Sequence, residues 1–206
     1  MSTLPLLWAE ADSVSELLTA EASKGWVSEE LGARHTIQPL DTLEAEPLSK
    51  LGYLVLAQPR PLSPAENVAL DNWVRAGGRL LLFADPMLTR HSRYPIGDRR
   101  RPQDVVLLSP ILSHWSLELR FDPDLQGGEG VVDVEGLAVP VDLPGSFAAG
   151  PEAECQLLSG GLVAQCRIGK GRVIALADAA VLDDAEDANL SPRREALRGL
   201  LKRAFD

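Results

Sequence analysis

Along the first half of the chain, short continuous apolar runs alternate with stretches of helical period. Leu4 to Ala9 reads as a short buried strand, with Pro5 near its start where proline is tolerated. Ser13 to Leu31 reads as a helix. Ser13 and Glu16 have capping-box spacing, Val14, Leu17 and Leu18 share a face, and Gly25 bends or breaks the segment. His35 to Leu40 is a candidate second strand. Tyr53 to Ala57 is apolar throughout, as in a strand covered on both faces. After a proline-rich loop, Ser63, Pro64 and Glu66 form the clearest helix start in the chain. Leu70, Trp73 and Val74 follow on one face, and Gly77-Gly78 stops the helix. Arg79 to Ala84 is the next buried strand, ended by Asp85-Pro86.

Beyond Pro86 the pattern changes. Residues 88–104 are poor in apolar groups and read as an exposed loop. Ser109-Pro110 opens a short helix with Ile111, Leu112 and Trp115 inward. A β-rich subregion spans residues 122–168, with runs at Val131–Val134 and Leu137–Val141. Gly160-Gly161 between Cys155–Ser159 and Leu162–Ile168 signals a hairpin. Arg172 to Ala177 is a further strand, and Ser191-Pro192 begins a last helix with Leu197, Leu200, Leu201 and Ala204 as its buried stripe. Strand–helix–strand order with buried strands predicts a mostly parallel sheet with helices on both faces, flavodoxin-like, extended by antiparallel hairpins in the C-terminal third.

The chain has 206 residues, which suits one domain over 1–206. Its composition is that of an ordinary globular protein. The formal net charge of −10 opposes binding to nucleic acid or anionic lipid. No apolar run is long enough to span a bilayer, so no direct membrane insertion is expected. The start lacks the pattern of a secretory signal, and two cysteines are no disulfide framework. The expectation is a cytoplasmic chain with reduced thiols.

Three stretches carry a resemblance: residues 53–86 with Pro61-Leu62-Ser63, Gly77-Gly78 and Asp85-Pro86; residues 107–123; and residues 169–184, opening on Gly169-Lys170-Gly171-Arg172. Together they resemble the soluble domain of gliding-motility-type ABC-transporter auxiliary proteins. The resemblance implies a class I glutamine amidotransferase-like fold and ABC transporter subunits as partners. Members usually carry membrane-spanning segments beside this domain, and this chain departs from them there.

An amidotransferase needs a nucleophile on a sharp turn after a strand. Here that turn reads Ala84-Asp85-Pro86, so no catalytic residue is assigned. Open α/β sheets bind ligands at the carboxyl ends of their strands, and those ends offer Glu10, Gln58, Asp85 and Asp178. They form a polar crevice or merely cap neighbouring turns. Arg90, Arg93, Arg99, Arg100 and Arg101 concentrate positive charge in the exposed loop and are candidates for docking an acidic partner or a phosphate-bearing ligand. Gly169-Lys170-Gly171 lacks the spacing of a phosphate loop and reads as a β-turn. The acidic cluster Asp183, Asp184, Glu186 and Asp187 reads as a solvated turn, and His35, His91 and His114 have no metal-ligand spacing. No metal or other cofactor is expected.

Cys155 and Cys166 fall opposite each other across the hairpin, where cross-strand Cβ atoms lie about 4.5–5.5 Å apart. They form a redox-sensitive bridge or pack as two small apolar residues. A reducing compartment and the spacing favour the second. The leading expectation is a non-catalytic binding or scaffold module. The alternatives are an amidotransferase-shaped enzyme and a sensor of small anions, both using the strand-end carboxylates.

Overall fold

The computed structural model describes residues 1–7, 25–184 and 190–206. The expected capping box at Ser13 and Glu16, the apolar face of Val14, Leu17 and Leu18, and the site residue Glu10 lie outside the described residues. So do Glu186 and Asp187.

In chain order the elements are α1 (Trp26–Gly32), α2 (Ala45–Ser49), β1 (Tyr53–Ala57), α3 (Pro64–Arg75), β2 (Arg79–Phe83), α4 (Ser109–His114) and β3 (Leu117–Arg120). They continue with β4 (Glu129–Val134), β5 (Leu137–Asp142), β6 (Ser146–Ala149), β7 (Cys155–Leu158), β8 (Val163–Ile168), β9 (Gly171–Leu176) and α5 (Ser191–Phe205). α3 starts as its residues dictate: Ser63 accepts from the Glu66 N–H and the Glu66 carboxylate accepts from the Ser63 N–H. Among the described residues neither expected strand makes a ladder: His35 to Leu40 has none, nor has Leu4 to Leu7, while Trp8 and Ala9 lie outside the described residues and the preceding Ser2 makes a parallel bridge to Ala57.

The main sheet has five strands in the order β1-β2-β9-β8-β7. β1, β2 and β9 run parallel, whereas β9–β8 and β8–β7 are antiparallel. Two small antiparallel pairs, β3–β6 and β4–β5, stand outside it. The expectation of a mostly parallel, flavodoxin-like and amidotransferase-like sheet between two helical layers is therefore corrected. The physical reason is connection length. β7, β8 and β9 are joined by tight turns, and a parallel neighbour needs a crossover of a dozen residues or more. The hairpin-joined strands β7, β8 and β9 are thus three of the five strands of the main sheet and not an extension to it.

Alternation along the strands divides the core by face. Leu81, Phe83, Val163, Ile174 and Leu176 pack beneath Leu197, Leu200, Leu201 and Ala204 of α5 and Val139 and Val141 of β5. Much of that cover is β-hairpin. Leu80, Leu82, Ala164, Val173 and Ala175 pack against Leu70, Trp73 and Val74 of α3 and Ile111 and Leu112 of α4. Each buried Val, Leu, Ile or Phe side chain among these contributes about 1.5–3 kcal/mol. The β8–β9 turn is held on the end of α3, where the Lys170 N–H donates to Arg75 O (3.0 Å) and the Arg172 N–H to Gly78 O (3.2 Å). Gly171 has no room for more: a Cβ there would sit 2.0 Å from Val74 O.

Cys155 and Cys166 are in register and joined as a disulfide. The expected pair of reduced, merely packed thiols is corrected. The two strands bring the Cα atoms to 4.0 Å, closer than the ordinary Cα spacing of about 4.5 Å between directly opposed, non-hydrogen-bonded residues. No helix among the described residues is long and apolar enough to cross a membrane.

Candidate functional site

The carboxyl ends of β1, β2 and β9 bring Gln58, Asp85 and Asp178 together, all fully buried. Each has a structural task. The Gln58 amide donates to Asp85 O (3.0 Å) and Gln103 O (2.8 Å), and its Oε1 accepts from the Asp85 N–H (2.9 Å). Asp85 accepts from the N–H groups of Met87 (2.8 Å) and Ala179 (3.1 Å). Asp178 accepts from those of Ala180 (2.6 Å) and Asp142 (3.0 Å). Both carboxylates are thus spent on backbone donors that would otherwise be buried unpaired.

Burial pushes Asp85 up to about 7 and Asp178 up to about 8, and the Asp85 charge adds to the shift of Asp178. The backbone bonds pull both back only in part. Asp183 sits near enough to raise both, and burial lifts it to about 6. Sequence reading placed Asp183 in a solvated turn and missed this role, since only the fold brings residue 183 beside residue 85. Perturbed acids in one place are a mark of functional sites, but these lack the open geometry that proton transfer to a substrate needs. Among the described residues no group of three or more His, Cys, Asp or Glu could hold a metal ion.

The loop of residues 88–104 is closed at its base. The Leu88 N–H donates to Asp104 O (2.9 Å), and the Val106 N–H to Asp85 O (3.1 Å). Its arginines do not form one free basic patch. Arg90 reaches Asp183 (3.4 Å) and Asp184 (2.5 Å). Arg100 pairs with Asp98 (2.7 Å) and lies over the Tyr94 ring (4.1 Å). Arg101 pairs with Asp104 (3.0 Å), and Arg93 is partnered as well. Arg99 is exposed and has no ion pair among the described residues. Ile96 within the loop is 89% exposed, and Met87, Val105 and Leu107, which flank the loop in sequence, are exposed as well.

No protein-family model and no curated protein matches the sequence. Among solved structures the chain is similar to the mmIFT52 N-terminal domain, at 13% identity and a TM-score of 0.61, covering 87% of this chain and 89% of that one. This likeness shows the fold. It is also similar to the exo-beta-1,4-mannosidase Op5Man5 from Opitutaceae bacterium strain TAV5, at 17% identity and a TM-score of 0.48, over 82% of this chain and 27% of that one. A third match is the cytoplasmic protein STM3548 from Salmonella typhimurium, at 9% identity and a TM-score of 0.46, over 79% of this chain and 75% of that one. At those scores the last two likenesses carry no weight.

Proposed function

We propose that this protein is a non-catalytic docking module, and that the loop of residues 88–104 is its contact surface. The observation that carries the reading is the state of that loop. It is long, has no helix or strand, is pinned at its base, engages four of its five arginines, and presents Ile96 to solvent. Long loops held in one conformation on a rigid scaffold are where binding residues gather. The strand-end acids point the same way, since Asp85 and Asp178 serve the backbone.

The resemblance to ABC-transporter auxiliary domains supplies the partner class: subunits of a membrane transporter, met from the cytoplasmic side. Ile96 would insert into the partner, and Arg99 would meet an acidic group at the rim. The test is affinity capture from the native cell with the wild-type chain and with Ile96→Asp combined with Arg99→Ala. Transporter subunits recovered with the wild type and lost with the variant support the reading. Equal recovery with both forms, or none with either, sinks it.

A further inference from the structure

A second surface lies at the opposite ends of the parallel strands. β2 opens on Arg79 and β9 carries Arg172, and the ladder sets them side by side. The hairpin register sets Arg167 of β8 against Arg172. Three arginines thus stand in a row across three neighbouring strands, spanning about 10 Å. Lys170 at the β8–β9 turn extends the row, and Gln156 and Gln165, paired across β7 and β8, stand beside it. These residues line a depression of about 620 Å³. Its one acidic lining residue is Glu154, whose side chain has no ion pair there among the described residues.

Like charges directly opposite on adjacent strands destabilise a sheet. Part of the row has an internal explanation. Arg79 donates to Phe205 O and Arg172 to Arg203 O (3.0 Å), so both serve the carbonyl end of α5, where cations are favoured. That use leaves most of their N–H donors uncommitted. Arg167 and Lys170 have no such task. Both are exposed, and neither has a side-chain partner among the described residues. The placement is fixed from below: the glycines on either side of Lys170 let the turn sit on the α3 terminus, so the lysine is held beside the row. In a chain of net charge −10, four cations are gathered at one depression, and two of them have no ion-pair partner among the described residues.

We propose that this depression, formed by Arg79, Arg172, Arg167 and Lys170, binds a small oligophosphate. A row of guanidinium groups matches several linked anionic groups better than one, because each phosphoryl oxygen pair can take a charge-assisted contact along the row. The glutamine pair supplies neutral donors at the edge. The site stands apart from the loop of residues 88–104, and the two readings fail independently.

The test is calorimetric titration of the whole chain with inorganic tripolyphosphate and with orthophosphate at matched ionic strength. One site for tripolyphosphate is expected, about tenfold tighter than for orthophosphate or more. Arg167→Ala with Lys170→Ala weakens it by about tenfold or more, and Arg167→Lys keeps most of the binding. Both substitutions are at exposed positions, and an unchanged melting temperature shows that the fold persists. Arg34→Ala with Arg120→Ala removes equal charge elsewhere at exposed positions and leaves affinity unchanged. No saturable binding, or equal weakening in both double variants, overturns the proposal. So does association with phosphatidylcholine vesicles carrying phosphatidylinositol monophosphate when tripolyphosphate does not bind, since the ligand class is then a membrane headgroup.

Discussion

Asp85 and Asp178 are the residues where burial and charge conflict most. Their folded pKa values, about 7 and about 8, lie above the ordinary carboxylate value of 3.8. In that interval the folded chain holds protons that the unfolded chain has released, so stability falls as pH rises. Urea midpoints should therefore drop steadily between about pH 4 and pH 8. In Asp178→Asn the slope should flatten, because one of the two titrations is gone. A wild-type midpoint that does not change across that range would refute this account. Glu66 has the opposite sign: the Arg60 guanidinium holds it down to about 2, so its share of stability is lost only as pH falls from about 4.5 towards 2. Gly171 is the other sensitive position. Gly171→Ala places a Cβ against Val74 O at 2.0 Å and should cost about 3 kcal/mol, read as a shift of the denaturation midpoint.

Among the elements, α3 and the β7–β8 hairpin owe their geometry to a few side chains. Glu66 closes the capping box, pairs with Arg60 (2.7 Å) and accepts from the Leu43 N–H (3.1 Å), so it ties α2's approach to the start of α3. Ser63→Ala should cost about 1 kcal/mol by loss of one cap bond. Glu66→Ala should cost more, about 2–3 kcal/mol, because it also strands a buried N–H and an arginine. Equal losses in the two variants would show that the Arg60 and Leu43 contacts add nothing. In the hairpin, the Cys155–Cys166 bridge closes a short loop, with a sequence separation of 11, and should add about 3 kcal/mol. Reductant should lower the wild-type melting temperature and leave Cys155→Ser unmoved.

Across the fold, Gln58 links three parts that are far apart in sequence. Its side chain holds the end of β2 and the loop at Gln103, and its backbone O accepts from Thr3. Gln58→Ala should free the loop of residues 88–104 without unfolding the sheet. Hydrogen exchange should rise at residues 103–106 while β2 and β9 keep their protection. Unchanged exchange in the loop would mean that its own ion pairs suffice to hold it. The same variant bears on docking, since a loosened loop binds with a greater entropic cost.

Local rules were enough for much of this architecture. Ser63, Pro64 and Glu66 started α3 where expected, Gly77-Gly78 ended it, and the apolar run Tyr53–Ala57 became a strand buried among others. The Cys155–Cys166 register followed from the turn at Gly160-Gly161. These features depend on neighbours within a few residues, which a sequence displays directly. The sheet order did not. β9, already paired locally with β8, takes its place beside β2 through a pairing that sets Arg172 against the distant Arg79, and periodicity carries no information on such partners. The fate of charge was hidden for the same reason. Arg90 looked free until Asp183 and Asp184 were folded against it, and Asp85 and Asp178 looked available until the backbone donors of Met87, Ala179, Ala180 and Asp142 claimed them. Conversely, Arg79, Arg167 and Arg172 lie far apart in the chain or look like ordinary strand ends, and pairing across β2, β9 and β8 makes them a row. Residue type and local spacing decide what an element is. Which charges meet, and which are left unpaired, depends on long-range packing.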